Sequence, residues 1–310
     1  MLTGALGLAL LYFGGGYVVR GASSLALRLG LSPLVIGLTV VSMGTSMPEL
    51  VVSLDAALGG ANDIAVGNVV GSNIANLGLV LGLCALLNGA KIQATVVKFD
   101  GPVVLFASLI MLELLRDDGI SRLEGLSFLI GLLAYVAVTF SMGPHESRQV
   151  QEEFSAAIAQ PGSSLGKTLS LLAAGIAGLA LGGHILVGAA VTMATAFGVS
   201  QAVIGITIVA VGTSLPEMAT TLVAASRGQN DMAVGNLIGS NVFNILGILG
   251  LTAVIQPLNQ GEIGWGSLWF MVAVTAMLIP MMYTGLRVSR FEGAALLTSY
   301  CAYIGWLVMS

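Results

Sequence analysis

Apolar runs about 20 residues long recur along almost the whole chain, separated by short polar or glycine-rich segments. Inside a bilayer no water reaches the backbone, so such a run must satisfy its own N–H and C=O groups, as a helix that needs about 20 residues to cross. Composition points the same way: 56% of the 310 residues are hydrophobic and 8% are charged, whereas a water-soluble domain has about 25% charged. An ordinary cytosolic domain and a disordered chain are excluded. A disulfide scaffold is excluded as well, because the only cysteines are Cys84 and Cys301. The net charge of -4 and the lack of any basic run offer nothing to nucleic acid. The expected partner is the lipid bilayer.

The fold class expected is an all-α polytopic membrane protein with ten transmembrane helices arranged as two inverted five-helix repeats. The spans are expected at 2–27, 33–58, 64–87, 101–115 and 123–142, then at 165–196, 201–226, 232–255, 266–286 and 291–309. Residues 1–142 make the first repeat, 143–164 a polar linker and 165–310 the second repeat. No basic residues precede the first apolar run and no small-residue cleavage site follows it, so a retained helix is expected rather than a signal peptide. Loops after odd-numbered spans hold Arg28, Lys91, Lys98, Arg148, Lys167, Arg227, Arg287 and Arg290, and only Arg116 and Arg122 fall on the other side; Arg20, counted with the first group, falls inside the first span, which lowers that count by one without changing its sign. Basic loops stay in the cytoplasm. A cell-membrane protein is therefore expected, with both termini outside and the linker inside.

The repeat itself is in the residues. Shifted by 168 positions, 30–82 aligns with 198–250 without a gap, and about half of the paired positions are identical. Gly44-Thr45-Ser46 pairs with Gly212-Thr213-Ser214, Pro48-Glu49 with Pro216-Glu217, Gly71-Ser72-Asn73 with Gly239-Ser240-Asn241, and Asn76 with Asn244. Five spans, an odd number, separate the copies. They must cross in opposite directions, which is the plan of many secondary transporters.

Glu49 and Glu217 fall near the middle of their spans, each after a proline that cannot donate a backbone hydrogen bond. A charge at that depth costs about 2.5–3.5 kcal/mol on insertion scales, and the neighbouring spans supply no basic residue there. A cation or a proton must compensate. Ser42, Thr45, Ser46 and Glu49 share one helix face, and Ala210, Thr213, Ser214 and Glu217 repeat that face. Asn68, Ser72 and Asn76 form a second stripe, repeated by Asn236, Ser240 and Asn244. A single such stripe usually bonds neighbouring helices; four converging on two glutamates favour an ion site. The donors are hard oxygens, suited to Ca2+ and Na+ rather than to metals that take thiolate or imidazole.

The remaining features read as structural. Gly14-Gly15-Gly16 and Gly182-Gly183 suit close helix contact or sliding. Asp63 and Asp231 suit helix caps, and the two cysteines suit apolar filling. His184 suits packing or the interface, with gating as the sharper option. Asp55, whose mate is Val223, lines an inward path or pairs near the interface.

Gly44-Thr45-Ser46-Met47-Pro48-Glu49 and the run from Gly67 to Asn76, with Gly212-Thr213-Ser214-Leu215-Pro216-Glu217 and the run from Gly235 to Asn244, resemble the sodium/calcium exchanger family of the cation/calcium antiporter superfamily, in its compact prokaryotic form. The resemblance implies Ca2+ held by Glu49 and Glu217 with the backbone carbonyls of Thr45 and Thr213. It implies Na+ sites that use Ser46, Ser214, Ser72, Ser240 and the backbone at Ser42 and Ala210, with Asn76 and Asn244 completing the centre. No cofactor is implied, only the transported ions. Some relatives carry aspartate where Asn244 stands, which makes K+ co-transport less expected here. The function implied is Na+/Ca2+ antiport by alternating access, with Ca2+ export. H+/Ca2+ exchange and K+-dependent exchange remain open, a cation channel is a further class, and an intramembrane hydrolase has weak support from serines beside the glutamates.

Overall fold

The computed structural model describes residues 2–117, 119–142, 164–196, 210–259 and 264–309. Of the expected linker only Ser164 falls among them, and residues 201–209 of the expected seventh span lie outside the described residues. Almost everything described is helical: α1 (Leu2–Leu29), α2 (Pro33–Thr45), α3 (Met47–Leu58), α4 (Asn62–Leu87), α5 (Gly101–Arg116) and α6 (Arg122–Met142) in the first half. In the second half come α7 (Leu165–Ala196), α8 (Ala210–Thr213), α9 (Leu215–Ser226), α10 (Asn230–Ile255), α11 (Trp265–Tyr283) and α12 (Arg290–Met309). Among the described residues, six helices are long and apolar enough to cross a membrane, and α2 with α3 is a seventh span bent by 45°. The chain is a multi-pass, all-helical membrane protein.

The bend has a local cause. Pro48 sits in the first turn of α3 and has no N–H for the Gly44 carbonyl, so the helix breaks at Ser46 (φ -86°, ψ 8°). Ser214, its mate 168 residues on, has φ -83° and ψ 4° and stands before Pro216 at the start of α9. Both serines lie in the sparsely occupied bridge region, a common setting for functional residues.

The most buried helices are α4 and α10, with 78% and 83% of their most apolar stretch covered by protein, against 22% for α6 at the rim. Each carries a π-helical stretch at the equivalent place, Ala75–Leu81 and Phe243–Leu249, which takes in the last residue of the polar stripe, Asn76 or Asn244. Glycines let the helices touch at backbone distance. A methyl group on Gly82 would meet the Gly293 carbonyl at 3.1 Å, where α4 crosses α12, and one on Gly250 would meet the Gly125 carbonyl at 3.1 Å, where α10 crosses α6. These two contacts are the same pair of positions with the halves exchanged. The loops behave alike: β1 (Ala90–Lys91) pairs antiparallel with β2 (Arg287–Val288), matching Ala90 to Val288, and a single bridge joins Ile120 to Leu258. Helices α1 and α7 cross just as tightly, since a methyl on Gly14 would lie 2.9 Å from the Leu179 nitrogen and one on Gly182 2.9 Å from the Leu11 nitrogen. The close-contact reading of those glycines holds.

Several expectations change. The fourth span begins earlier than position 101, because a π turn at Val96–Asp100 leads into α5 and buries Asp100. Asp63 and Asp231 do not occupy the cap position, because α4 and α10 start at Asn62 and Asn230; both acids sit in the first turn, at the positive end of the helix dipole, as helix-start acids are expected to, and Asp231 accepts a hydrogen bond from Gln93 at 2.8 Å. The ninth span ends at Tyr283, where Gly285 (φ 82°) and Leu286 (φ 50°) turn the chain toward β2. Cys84 fills the core as expected, whereas Cys301 is exposed. His184 and Asp55 are exposed.

Candidate ion site

Four polar helix faces meet where the two broken helices cross α4 and α10. Glu49 and Glu217 are each 1% exposed, and their carboxylates lie within electrostatic reach of one another. Ser46 Oγ donates to Glu217 Oε1 at 2.7 Å, which joins the break in the first half to the acid of the second. Both carboxylate oxygens of Glu49 and Oε2 of Glu217 have no hydrogen-bond partner among the described residues. The single ion pair among those residues, Arg116 with Glu113, is at the exposed end of α5. Among the described residues no basic side chain pairs with either glutamate.

The backbone beside each acid is pinned in the same way. Asn68 Nδ2 donates to the Glu49 carbonyl at 3.0 Å and to Ser53 Oγ at 2.9 Å. Asn236 Nδ2 donates to the Glu217 carbonyl at 3.4 Å and to Thr221 Oγ1 at 3.1 Å. Here the amide nitrogens of the two stripes are structural, holding α3 to α4 and α9 to α10. Thr45 is buried and its Oγ1 donates to Asn236 Oδ1 at 3.2 Å, while its mate Thr213 is half-buried at the end of α8. Ala210 begins α8. Ser42 donates to the Leu38 and Thr39 carbonyls, and its own carbonyl already accepts from the Ser46 N–H at 3.0 Å and Thr45 Oγ1 at 3.3 Å. Thr45 has a single hydroxyl proton shared between Asn236 Oδ1 and the Ser42 carbonyl, so that carbonyl, an implied Na+ ligand, is fully engaged only by the Ser46 N–H.

Most of the other expected residues carry orphaned oxygens. Ser72 Oγ, Ser214 Oγ, Ser240 Oγ, Asn76 Oδ1 and Asn244 Oδ1 are all buried without a hydrogen-bond partner. Buried polar groups are nearly always paired, so a concentration of orphans in one place needs a physical cause. Hydroxyl, amide and carboxylate oxygens that have shed both water and protein partners are the donor set a hard cation takes. Among the described residues no group of three or more His, Cys, Asp and Glu side chains forms a metal cluster, in keeping with a site that relies on neutral oxygens around two acids.

The family profile described as sodium/calcium exchanger protein matches residues 1–141 and 167–309. The chain belongs to the sodium/calcium exchanger family. The sodium/calcium exchanger MaX1 of Methanosarcina acetivorans is 35% identical over 339 aligned positions, covering 96% of this chain and 95% of that one. The inner membrane protein YrbG of Escherichia coli K12 is 37% identical over 261 positions, covering 83% of this chain and 79% of that one. Among solved structures, the sodium-calcium exchanger NCX_Mj soaked with 10 mM Na+ and 10 mM Sr2+ superimposes with a TM-score of 0.83 at 32% identity, covering 98% of both chains. An exchanger of this family is a transporter, and the cluster of orphaned oxygens lies in the four helix segments that carry its motifs.

Spacing alone missed several members of the cluster. Asn73 and Asn241 are buried in it and bond to Asn244 and Asn76. Ser53 and Thr221 receive the amides of Asn68 and Asn236. The repeat alignment marks Asn73 and Asn241 as identical mates, and that identity was the available signal.

Proposed function

We propose that this chain exchanges Na+ for Ca2+ across the cell membrane by alternating access, exporting Ca2+, and that ten helices in two inverted repeats carry the exchange. The observation that carries the reading is the set of buried, unpartnered oxygens on Glu49, Glu217, Ser72, Ser214, Ser240, Asn76 and Asn244. The carboxylates of Glu49 and Glu217 hold Ca2+ with the backbone at Thr45 and Thr213. The hydroxyls of Ser46, Ser214, Ser72 and Ser240 and the carbonyls of Ser42 and Ala210 serve Na+ toward either face, and the amide oxygens of Asn76 and Asn244 complete the centre.

Charge explains the coupling. Two glutamates bring two negative charges into a region where each uncompensated one costs several kcal/mol. One Ca2+ or a group of Na+ neutralises them, so the loaded site crosses between states easily and the empty site does not. Exchange follows because return without a cation is the costly step. Inverted repeats are supported by contacts that recur with the halves exchanged: Gly82 on Gly293 and Gly125 on Gly250, Asn76 to Asn241 and Asn244 to Asn73, Ala90 with Val288 and Ile120 with Leu258. A pseudo-twofold molecule has two related open states, one to each face. The basic loops put both termini outside and the linker in the cytoplasm.

The test is counterflow in proteoliposomes of purified protein loaded with Ca2+, with Na+, K+ and pH gradients imposed one at a time. Na+ alone is expected to drive Ca2+ out, and Glu49→Gln or Glu217→Gln is expected to lower that flux at least about 100-fold, the size of a lost charged ligand worth about 3 kcal/mol. Release driven by a pH gradient and indifferent to Na+ would replace the reading with H+/Ca2+ exchange. Release that needs K+ as well would make the protein a K+-dependent exchanger.

A further inference from the structure

Asn76 and Asn244 present an amide to the centre of the cluster, and an amide has two unlike ends: an oxygen that a cation seeks and an NH2 that repels it. In both residues the oxygen is buried and unpartnered, and the nitrogen is tied. Asn244 Nδ2 donates to Asn73 Oδ1 at 2.9 Å, and Asn76 Nδ2 donates to Asn241 Oδ1 at 3.2 Å. Each bond runs from one half of the molecule to the other, between α4 and α10, and the two bonds are the same contact with the halves exchanged. Nothing else among the described residues fixes which end of either amide points inward.

We propose that Asn73 and Asn241 are positioning residues that hold the amide oxygens of Asn76 and Asn244 toward the transported cation and so set the affinity for Ca2+. Both offer Oδ1 to the neighbouring amide, while Asn241 Nδ2 is buried without a hydrogen-bond partner among the described residues. Asn73 Nδ2 is engaged by the Asn241 carbonyl at 3.5 Å and the Met271 sulfur at 3.9 Å, which leaves Oδ1 to face Asn244 as an acceptor. Asn241 offers Oδ1 to Asn76 and its carbonyl to Asn73. At the Asn76–Asn241 pair, a bridge that served only to join α4 to α10 would work equally well with both amides reversed, because donor and acceptor would change places, whereas at Asn73 reversal would also turn Oδ1 toward the Asn241 carbonyl. A cation between the glutamates distinguishes the two arrangements, since reversal would replace a ligand oxygen with an NH2 group. The inference rests on the cation-binding reading of the cluster.

A double-mutant cycle in proteoliposomes tests it, with initial rates of Na+-driven Ca2+ flux measured against Ca2+ concentration. Asn73→Leu frees the Asn244 amide to turn and is expected to raise KM for Ca2+ about tenfold with kcat within about twofold, the scale of one lost hydrogen bond in a buried site. In an Asn244→Asp background both ends of the side chain are oxygens, no orientation remains to be held, and Asn73→Leu is expected to change KM less than about twofold. The mirror cycle uses Asn241→Leu with Asn76→Asp. Unchanged KM in Asn73→Leu and Asn241→Leu, or the same penalty in both backgrounds, overturns the proposal. So does failure of both single variants to assemble, as judged by size exclusion and melting temperature, since the bonds would then be structural. Failure of the functional reading is told apart by the wild-type protein, which would show no Na+-driven Ca2+ flux at all.

Discussion

At the scale of single residues the two glutamates are not equivalent, although the repeat makes them mates. Glu217 accepts from Ser46, whereas Glu49 has no partner for either oxygen and the mate of Ser46, Ser214, has an unpartnered hydroxyl. A buried charge without a partner opposes folding, and a neutral amide in its place costs less. In detergent, Glu49→Gln is therefore expected to melt above the wild type when no divalent cation is present, and Glu217→Gln to gain less because it also disturbs the Ser46 bond. Ligand addition reverses the order. At Ca2+ about 100 times its Kd, binding stabilises the folded wild type by about 2.7 kcal/mol, and either substitution should abolish most of that shift. Melting curves with and without Ca2+ check both statements, and a wild-type Ca2+ shift in Glu49→Gln would remove Glu49 from the ligand set. Both acids and both serines were readable from the sequence because proline, acid and hydroxyl recur at helical spacing. Asn73 and Asn241 were not, because each is one residue off the stripe made by positions four apart, and only the crossing of α4 with α10 brings them inward.

Among the elements, α1 and α7 break the symmetry that the rest of the molecule keeps. Helix α1 packs along α9, where a methyl on Gly15 would lie 3.2 Å from the Ala219 carbonyl, while α7 has no comparable packing along α3 among the described residues. Accordingly Val51, Val52 and Asp55 on α3 are exposed, whereas their mates Ala219, Thr220 and Val223 are half-buried or buried. Two hydrogen bonds fasten the covered side: Arg227 Nη1 donates to the Gly16 carbonyl at 3.1 Å and Ser23 Oγ donates to Gln229 Oε1 at 3.2 Å. The mirror positions are Gly59 with His184 and Ala61 with Val191, so the donor corresponding to Arg227 is missing at Gly59 and neither side chain corresponding to Ser23 and Gln229 is polar. On the alternating-access reading proposed above, these bonds favour one access state. Arg227→Gln, which removes a part-exposed charged hydrogen bond worth about 1 kcal/mol, is expected to shift the equilibrium about fivefold toward the other state. Apparent Ca2+ affinities measured from the two faces in sided proteoliposomes would change in opposite directions, and equal changes on both faces would mean Arg227 is no latch. The broken helices were foreseeable from Pro48 and Pro216, since a missing N–H acts locally. The π stretches Ala75–Leu81 and Phe243–Leu249 and the early start at Val96 were not, because packing against neighbours produces them and no residue type announces them.

For the molecule as a whole, symmetry and charge make separate demands. The halves are related by exchanged contacts from the ion cluster out to the loops, and each half also has a tyrosine bond of its own: Tyr135 donates to Asp100 at 2.9 Å, and Tyr303, its mate, donates at 3.0 Å to Ser267, one position before Leu268, the mate of Asp100. On the proposed inverted arrangement, exchanging the halves turns the body over, so packing alone sets no preference for which face is inside. Insertion has to be decided by charge, and the bias of Lys and Arg toward loops after odd-numbered spans is the asymmetry available to decide it. The repeat was evident from a gap-free alignment at a shift of 168 residues, but direction across the bilayer is a property of loops and is argued from their charge alone. Single cysteines in a background lacking Cys84 and Cys301 read it out. A cysteine at His145 is expected to react with a membrane-impermeant maleimide only after cells are opened, and one at Ser121, between α5 and α6, in intact cells. Adding three lysines beside Ser121 offsets much of the charge bias, at little cost to packing on an exposed loop, and is expected to yield molecules in both orientations. Labelling of position 145 in intact cells without that addition would reverse the topology, and unchanged labelling with it would mean that something other than loop charge orients the chain.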